Sequence, residues 1–421
     1  MRVLMVSWEY PPKIVGGLGR HVEGLSEALV RAGHEVTVVT GDSPKLPEKQ
    51  VVQGVEVLRA LPHKPPGRDF VEEVMLLNFN MVERMVSELV GLSTAFDVVH
   101  VHDWLGAYAG KLFKHALRLP LIATIHATEF GRNGGLHNDL QRHISDLEWW
   151  LCYEAWQVIV CSRYMEGEVQ HVFGLPRDKL KVIPNGIDPA KLLIRGHADP
   201  SEVRARFAHP DEKIVLFVGR LVREKGVWVM LDAFKDLLGV VPEAKLVVVG
   251  KGPEELYLRD YARRLGLEHK VYFTGFVDDE TRNHLYHLCS VAVFPSLYEP
   301  FGIVALEAMA LGKPVVVSDT GGLGEVVSHG LTGMKFPPGD SRALAGVLAD
   351  ILLDFNLAQN LAREGKREAD LYTWDRVAKS TSDVYREVLR SAQASGWSAR
   401  RELGGRSFEV SHYGRWNGNK A

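Results

Sequence analysis

Short apolar runs alternate with longer amphipathic stretches along most of the chain. In the first half, residues 3–6, 36–40, 98–101, 122–125, 158–161 and 182–183 are rich in Val and Ile and too short for helices, so they predict strands. Few polar residues interrupt them. Strands apolar on both sides are buried on both faces, which predicts a parallel α/β sheet covered by helices. Between the first two strands, residues 24–32 carry a helical period, and Gly33 supplies the left-handed residue that ends it. The same pattern restarts at 214–218 and continues through 245–249, 271–274, 291–294 and 314–318. Residues 370–390 return to a helical period marked by Trp374, Val377, Val384, Tyr385 and Val388.

Polar, Pro- and Asp-containing sequence at 187–211 separates the two series and reads as a linker, with domains at 1–190 and 191–372. Residues 44–67 read as a surface excursion containing one short strand at 51–58, and 393–421 as a poorly ordered tail. A length of 421 residues exceeds what one core fills, so two domains are expected. With 46% apolar and 24% charged residues and a net charge of −3, nothing favours a nucleic-acid partner. The 40 glycines fit many strand-to-helix turns. Three cysteines, Cys152, Cys161 and Cys289, have no metal-type spacing and cannot all pair, which points to a reduced, cytoplasmic setting. The apolar run at the N-terminus is too short for a signal peptide, and no run reaches the roughly 18 residues of a membrane span. The sequence specifies no oligomeric state.

Candidate chemistry concentrates where strands end. After the 291–294 strand comes Ser296-Leu-Tyr-Glu-Pro-Phe-Gly-Ile-Val-Ala-Leu-Glu307. Glu299 and Glu307 are eight positions apart, a little over two helical turns, with Glu299 in the loop and Pro300 at the helix start. Free amides at Phe301 and Gly302, with Ile303 behind them, suit a phosphate, while carboxylates suit sugar hydroxyls. Both together describe a nucleotide-sugar site. Spacing alone equally describes a solvated helix face, so context decides.

That context is a series of turns. In the 9–19 loop, Gly16 and Gly17 let backbone approach an anion or sugar, or form an ordinary flexible turn; the loop is not a G-x-G-x-x-G fingerprint. His100 and His102 share one face of a strand, no third ligand at metal spacing accompanies them, and zinc is not expected. Asp103 beside them would orient an acceptor hydroxyl or bond a neighbouring loop. His126 follows the next strand. Arg220 and Lys225 flank a turn and can converge on one anion, although alone they also fit a pair of solvated surface cations; Arg223 and Glu224 between them read as a solvated surface pair. Gly250 and the turn bearing Phe276 admit a flat base or ribose, or are merely tight turns. Gly321, Gly322 and Leu323 open a helix as an amide-lined anion seat. Asn185-Gly is a turn, and Asn185 and Asp188 organise the hinge.

The Glu299/Glu307 pair in this setting resembles the E-x7-E signature of retaining glycosyltransferases of the GT-B fold. The similarity is greatest to glycosyltransferase family 4 and its glycogen-synthase-like α-glucosyltransferases, and extends over about residues 1–390. Trp8-Glu-Tyr-Pro-Pro, Gly-Gly-Leu-Gly and His102-Asp-Trp add to it. The resemblance implies two Rossmann-like domains facing across a cleft, with the terminal helix at 373–392 crossing back to brace the first. It implies a nucleotide-sugar donor, ADP- or UDP-glucose, in the second domain and a carbohydrate acceptor in the first. No metal or other cofactor is implied, because Arg220 and Lys225 take the diphosphate. Glu299 and His126 would lie against the donor sugar, Glu307 would hold the ribose, Gly17 and the Gly16 side of the loop would meet donor and acceptor, and Gly322 and Leu323 would line the phosphates. A mannosyl- or other hexosyltransferase acting on a small or lipid acceptor is the alternative, with an epimerase behind it. Peripheral membrane contact stays open, since some relatives glycosylate lipids.

Overall fold

The computed structural model describes residues 1–41, 46–61, 69–89, 96–196 and 199–397. Eight strands form the first sheet: β1 (Arg2–Ser7), β2 (Glu35–Gly41), β3 (Lys49–Val52), β4 (Val55–Ala60), β5 (Val98–His102), β6 (Leu121–Ile125), β7 (Gln157–Val160) and β8 (Leu180–Val182). Their order is β3-β4-β2-β1-β5-β6-β7-β8, parallel except for the β3/β4 pair. The second sheet holds β9 (Lys213–Val218), β10 (Ala244–Val249), β11 (Val271–Gly275), β12 (Val291–Phe294), β13 (Val315–Ser318) and β14 (Met334–Phe336), ordered β11-β10-β9-β12-β13-β14 and wholly parallel. Each sheet is α/β and doubly wound. The strand order reverses at β1/β5 in the first and at β9/β12 in the second. Loops leaving the C-terminal ends of those strands diverge and open a crevice there.

Several boundaries differ from those the sequence predicts. The single strand expected at 51–58 is a hairpin, because Gln53 (φ 50°) and Gly54 (φ 81°) form the left-handed two-residue turn that such hairpins favour. The first helix runs over Gly17–Arg31, a full two turns earlier than its clearest apolar period. The linker carries a short helix, Pro200–Ala205, capped by Asp199. Strand β14 is too short to be seen as a pattern.

The last helix, Trp374–Ala394, lies along the Gly17–Arg31 helix of the first domain. Trp374, Val377, Val384, Tyr385 and Val388 share a core with Leu18, Val22 and Leu25. Buried polar groups complete the fit. Tyr385 Oη lies 2.7 Å from His100 Nδ1, and His100 Nε2 lies 2.7 Å from Thr124 Oγ1, so His100 is a satisfied core histidine. Beyond the helix, the Arg118 guanidinium stacks on the Trp397 ring at 4.1 Å. The rest of the expected tail, 398–421, lies outside the described residues. Among the described residues no single helix is long and apolar enough to cross a membrane.

Gly24 makes this crossing possible: a Cβ there would fall 2.2 Å from the Trp374 ring. Gly24→Ala would gain up to about 1 kcal/mol of helix propensity, but overpacking a buried ring costs about 1–3 kcal/mol. The variant should therefore melt several degrees lower by calorimetry, and an unchanged or raised midpoint would contradict the packing described.

Candidate active site

Loops from both sheets meet where the two crevices face each other. The first follows β1. Glu9 is buried and turns its carboxylate onto the amides of Val15, Gly16 and Gly19. Burial pushes its pKa up, more than those amides and Arg220 pull it down. Glu9 thus shapes the Gly-Gly turn, a part that a motif reading did not give it. The Gly17–Arg31 helix starts directly after it without a side-chain cap.

The second group follows β5 and β6. Asp103 sits at φ 58°, 4% exposed, with Oδ1 2.7 Å from the His126 amide, and it also takes the Ala127 amide. The bond to a neighbouring loop, one of the two uses the sequence left open for Asp103, is present. Burial pushes its pKa to about 6. His126 is half-buried, with Nε2 3.2 Å from His102 Nδ1. Burial, and then Arg132, hold its pKa down to about 3, so at neutral pH the ring is uncharged and acts through hydrogen bonds. His126 thus meets His102 from the next loop, a contact that residue spacing does not show, while His100 keeps both its nitrogens on Tyr385 and Thr124. His21, from the first helix, places a ring nitrogen within 4.8 Å of one on each of His102 and His126. His21 Nδ1 lies 2.8 Å from Asn185 Oδ1, tying the hinge turn to this cluster. No spacing in sequence could bring His21 in, because it arrives from another element of the sheet layer.

The third group belongs to the second domain, at the β9/β12 switch point. Lys225 Nζ lies 2.6 Å from Glu299 Oε2, which also accepts from Ser296 Oγ at 3.1 Å. Glu299 is 8% exposed, so this is a nearly buried, hydrogen-bonded ion pair. Such a pair holds its geometry well, and removing one partner strands the other charge. Arg220, by contrast, is exposed and makes no ion pair or side-chain hydrogen bond among the described residues. It crosses the cleft: a Cβ on Gly16 would lie 3.8 Å from its Cδ, and one on Gly17 would lie 3.9 Å from Ile303 Cδ1. Among the described residues Arg223 and Glu224 form no ion pair; the Glu224 carbonyl accepts the amides of Leu297 and Tyr298, joining this turn to the Glu299 loop.

The helix behind Glu299 is shorter than expected. It spans Ile303–Ala310, with Gly302 (φ 100°) as its N-cap, so Pro300 stands in the preceding turn and not at the first helical position. Phe301 is buried against Tyr372, leaving only its backbone for a ligand, and Leu323 is wholly buried beneath Gly302. Glu307 is half-buried and accepts the Tyr286 hydroxyl at 3.0 Å. A cavity between the domains is lined by Glu307, Ile303, Arg282, Arg20, Glu23 and Trp374. Arg20 spans it to Asp279 at 2.6 Å. Arg20, Tyr286 and Arg282 carry no sequence signal.

The remaining turns owe their glycines first to backbone packing. A Cβ on Gly250 would lie 1.9 Å from the Gly219 carbonyl oxygen. On Gly322 it would lie 2.4 Å from Phe301 Cα, and the Gly322 amide already donates to the Glu299 carbonyl at 2.8 Å. Phe276 stands 74% exposed at the edge of this group. All three cysteines are buried free thiols.

Comparison with known proteins agrees with this arrangement. Residues 15–191 match the family Glycosyltransferase Family 4, and residues 200–368 match Glycosyl transferases group 1. An uncharacterised glycosyltransferase of Methanocaldococcus jannaschii is 41% identical, over 92% of this chain and 99% of that protein. A glycogen synthase of Mycobacterium tuberculosis is 38% identical, over 93% and 95% respectively. Among solved structures, sucrose-phosphate synthase from Thermosynechococcus elongatus superimposes with a TM-score of 0.80 at 27% identity, covering 93% of this chain and 99% of that one. With both domain types matched in order, and the facing loops in place, the chain belongs to the family 4 glycosyltransferases of the GT-B fold, in their glycogen-synthase-like branch.

Proposed function

We propose that this enzyme moves an α-glucosyl unit from ADP-glucose or UDP-glucose to an α-glucan or a related acceptor, retaining the anomeric configuration and needing no metal. The observation that carries the proposal is Arg220, whose Cδ reaches the Gly16 turn of the facing domain and whose guanidinium makes no ion pair among the described residues, on the same turn as the Lys225–Glu299 pair. Departure of a nucleoside diphosphate builds negative charge on its β-phosphate. A guanidinium and an ammonium at that point stabilise the charge, the ammonium from a place already held by Glu299. Arg220 makes no side-chain hydrogen bond among the described residues and can turn its donors to a phosphate, and Lys225 can bridge a phosphate oxygen and Glu299. Glu299 then lies against the donor sugar, where its charge opposes positive charge growing at the anomeric carbon. His126, neutral, hydrogen-bonds the sugar. In the retaining picture the acceptor enters from the Gly16 side on the face the diphosphate leaves, and a phosphate oxygen takes its proton. Glu307, fixed by Tyr286, holds the ribose. Closure of the two domains over the reactants keeps out water that would hydrolyse the donor. A second reading, a small phosphorylated sugar as acceptor, draws on the similarity to sucrose-phosphate synthase; transfer of mannose or another hexose is its companion. Incubating the enzyme with a panel of nucleotide-sugars, with and without glucan or sugar phosphate, and measuring released diphosphate distinguishes these.

Arg220→Ala should lower kcat by about 10²-fold or more with little change in thermal midpoint. Turnover near that of the wild type would remove Arg220 from the diphosphate site.

Glu299→Gln should depress kcat strongly while free ADP or UDP still binds, because its interaction grows in the transition state. Glu307→Ala should weaken binding of the free nucleotide as well as of the donor. Calorimetric titrations beside steady-state kinetics check both, and the opposite pattern would reverse the two assignments.

Activity should survive excess EDTA. Loss restored by a divalent cation would refute metal independence and direct attention to His21, His102 and His126, the one potential metal-holding group among the described residues.

A further inference from the structure

The structure assigns Tyr298 a positioning role: its side chain plugs a socket in the first domain and so sets the Glu299 loop against the His126 loop in the reacting geometry. The inference rests on the transferase reading above. Tyr298 belongs to a loop of the second domain, yet it is only 6% exposed because the first domain encloses its ring. Its hydroxyl accepts the Thr128 amide at 3.2 Å and donates to Glu168 Oε1 at 2.8 Å, with Met165 Sδ at 3.5 Å. Glu168 Oε1 also takes the Thr128 hydroxyl at 2.6 Å, and Thr128 Oγ1 accepts the Gly131 amide at 2.9 Å. The Tyr298 hydroxyl, the Thr128 hydroxyl and Glu168 Oε1 therefore all have partners, which fixes how the ring seats. Burial, then Glu168, keep the Tyr298 hydroxyl protonated well past neutrality, so it remains a donor.

Gly131 shows that the fit is steric as well as polar. A Cβ there would lie 2.4 Å from Tyr298 Cε2 and 2.6 Å from Glu168 Oε1. Gly131 has no left-handed φ, so the space, and not the backbone angle, requires glycine. Chain connectivity turns this contact into alignment. Glu299 is the next residue after Tyr298 and holds Lys225; His126 lies two residues before Thr128. One hydroxyl thus spans the two loops that would grip the donor from opposite domains. Neighbouring bonds reinforce the same closed arrangement: Ser162 Oγ donates to the Pro300 carbonyl at 2.7 Å, and the Glu325 carboxylate accepts the amides of Arg163 and Tyr164 at 3.0 and 2.6 Å. Displacing a reacting group by about 1 Å can cost about 10²-fold in rate, so a socket of this kind governs kcat.

Three variants test it. Tyr298→Phe keeps the ring and removes the hydroxyl. Its kcat should fall about tenfold, the worth of one hydrogen bond to a charged group, while the Kd for ADP or UDP stays within about twofold of wild type. Gly131→Ala blocks the socket; its kcat should fall by about 10²-fold, and small-angle scattering with donor present should give a larger radius of gyration than wild type. In Tyr298→Ala the ring is gone and the Glu168 carboxylate can turn into the space it leaves, so adding Gly131→Ala should cost far less, in kcat and in thermal midpoint, than it does alone. Wild-type kcat in Tyr298→Phe, or additive losses in the double variant, would overturn the assignment. So would a kcat loss in Tyr298→Phe matched by equal loss of nucleotide binding, which marks general loosening of the site. If the wild-type protein releases no diphosphate with any nucleotide-sugar, the transferase reading fails by itself; the socket is then judged by scattering and by the coupling of thermal midpoints, where additivity again overturns it.

Discussion

Backbone-on-backbone packing at the C-terminal edge of the second sheet is the constraint on which the rest of the site depends. There the loops stack at distances that admit no side chain between them. A Cβ on Gly226 would meet the Pro295 carbonyl oxygen at 2.1 Å, and one on Gly321 would meet the Glu299 carbonyl oxygen at 2.1 Å. The Lys225 turn, the Glu299 loop and the 320–323 turn are consequently one rigid piece, stitched by the Gly322 amide on the Glu299 carbonyl and the Leu297 amide on the Glu224 carbonyl. A preorganised set of charges can stabilise a departing diphosphate only if it does not relax when the charge appears. Close packing of these turns supplies that stiffness, and it places the Lys225–Glu299 pair where neither partner can swing away.

The first domain solves the same problem with buried polar groups. Glu9 organises the Gly-Gly turn, Asp103 the His126 loop, and Glu148 the start of the following short helix, where both its oxygens lie 3.0 Å from the Glu129 amide. Burial pushes the pKa of all three upward, Glu148 to about 8. Desolvation is the cost of holding loops by carboxylates instead of by glycine packing, and it is offset by amides that would otherwise be buried without acceptors.

The sequence by itself determined the two α/β domains and most of the second-domain turns. Apolar runs report strands buried on both faces, and glycine or charge immediately after a strand marks the turn at a sheet edge, so local pattern and site coincide there. The resemblance rested on those same turns, which is why Glu299, Glu307, Arg220 and Lys225 were legible together. Local pattern was weaker for short or turn-defined elements: the 53–54 hairpin, the three-residue strand at Met334–Phe336 and the true start of the Glu299 helix.

What only the tertiary structure decided is which groups already have partners. His100 is satisfied by Tyr385 and Thr124, Asp103 by the His126 loop, Lys225 by Glu299, whereas Arg220 has no ion pair or side-chain hydrogen bond among the described residues. His21 joins His102 and His126, and Tyr298 finds its socket, through contacts between elements far apart in the chain. Residue type and spacing fix what a side chain can do. Whether its hydrogen bonds and charge are spent on the fold or kept for a ligand depends on long-range neighbours, and those exist only once the two sheets have folded and met.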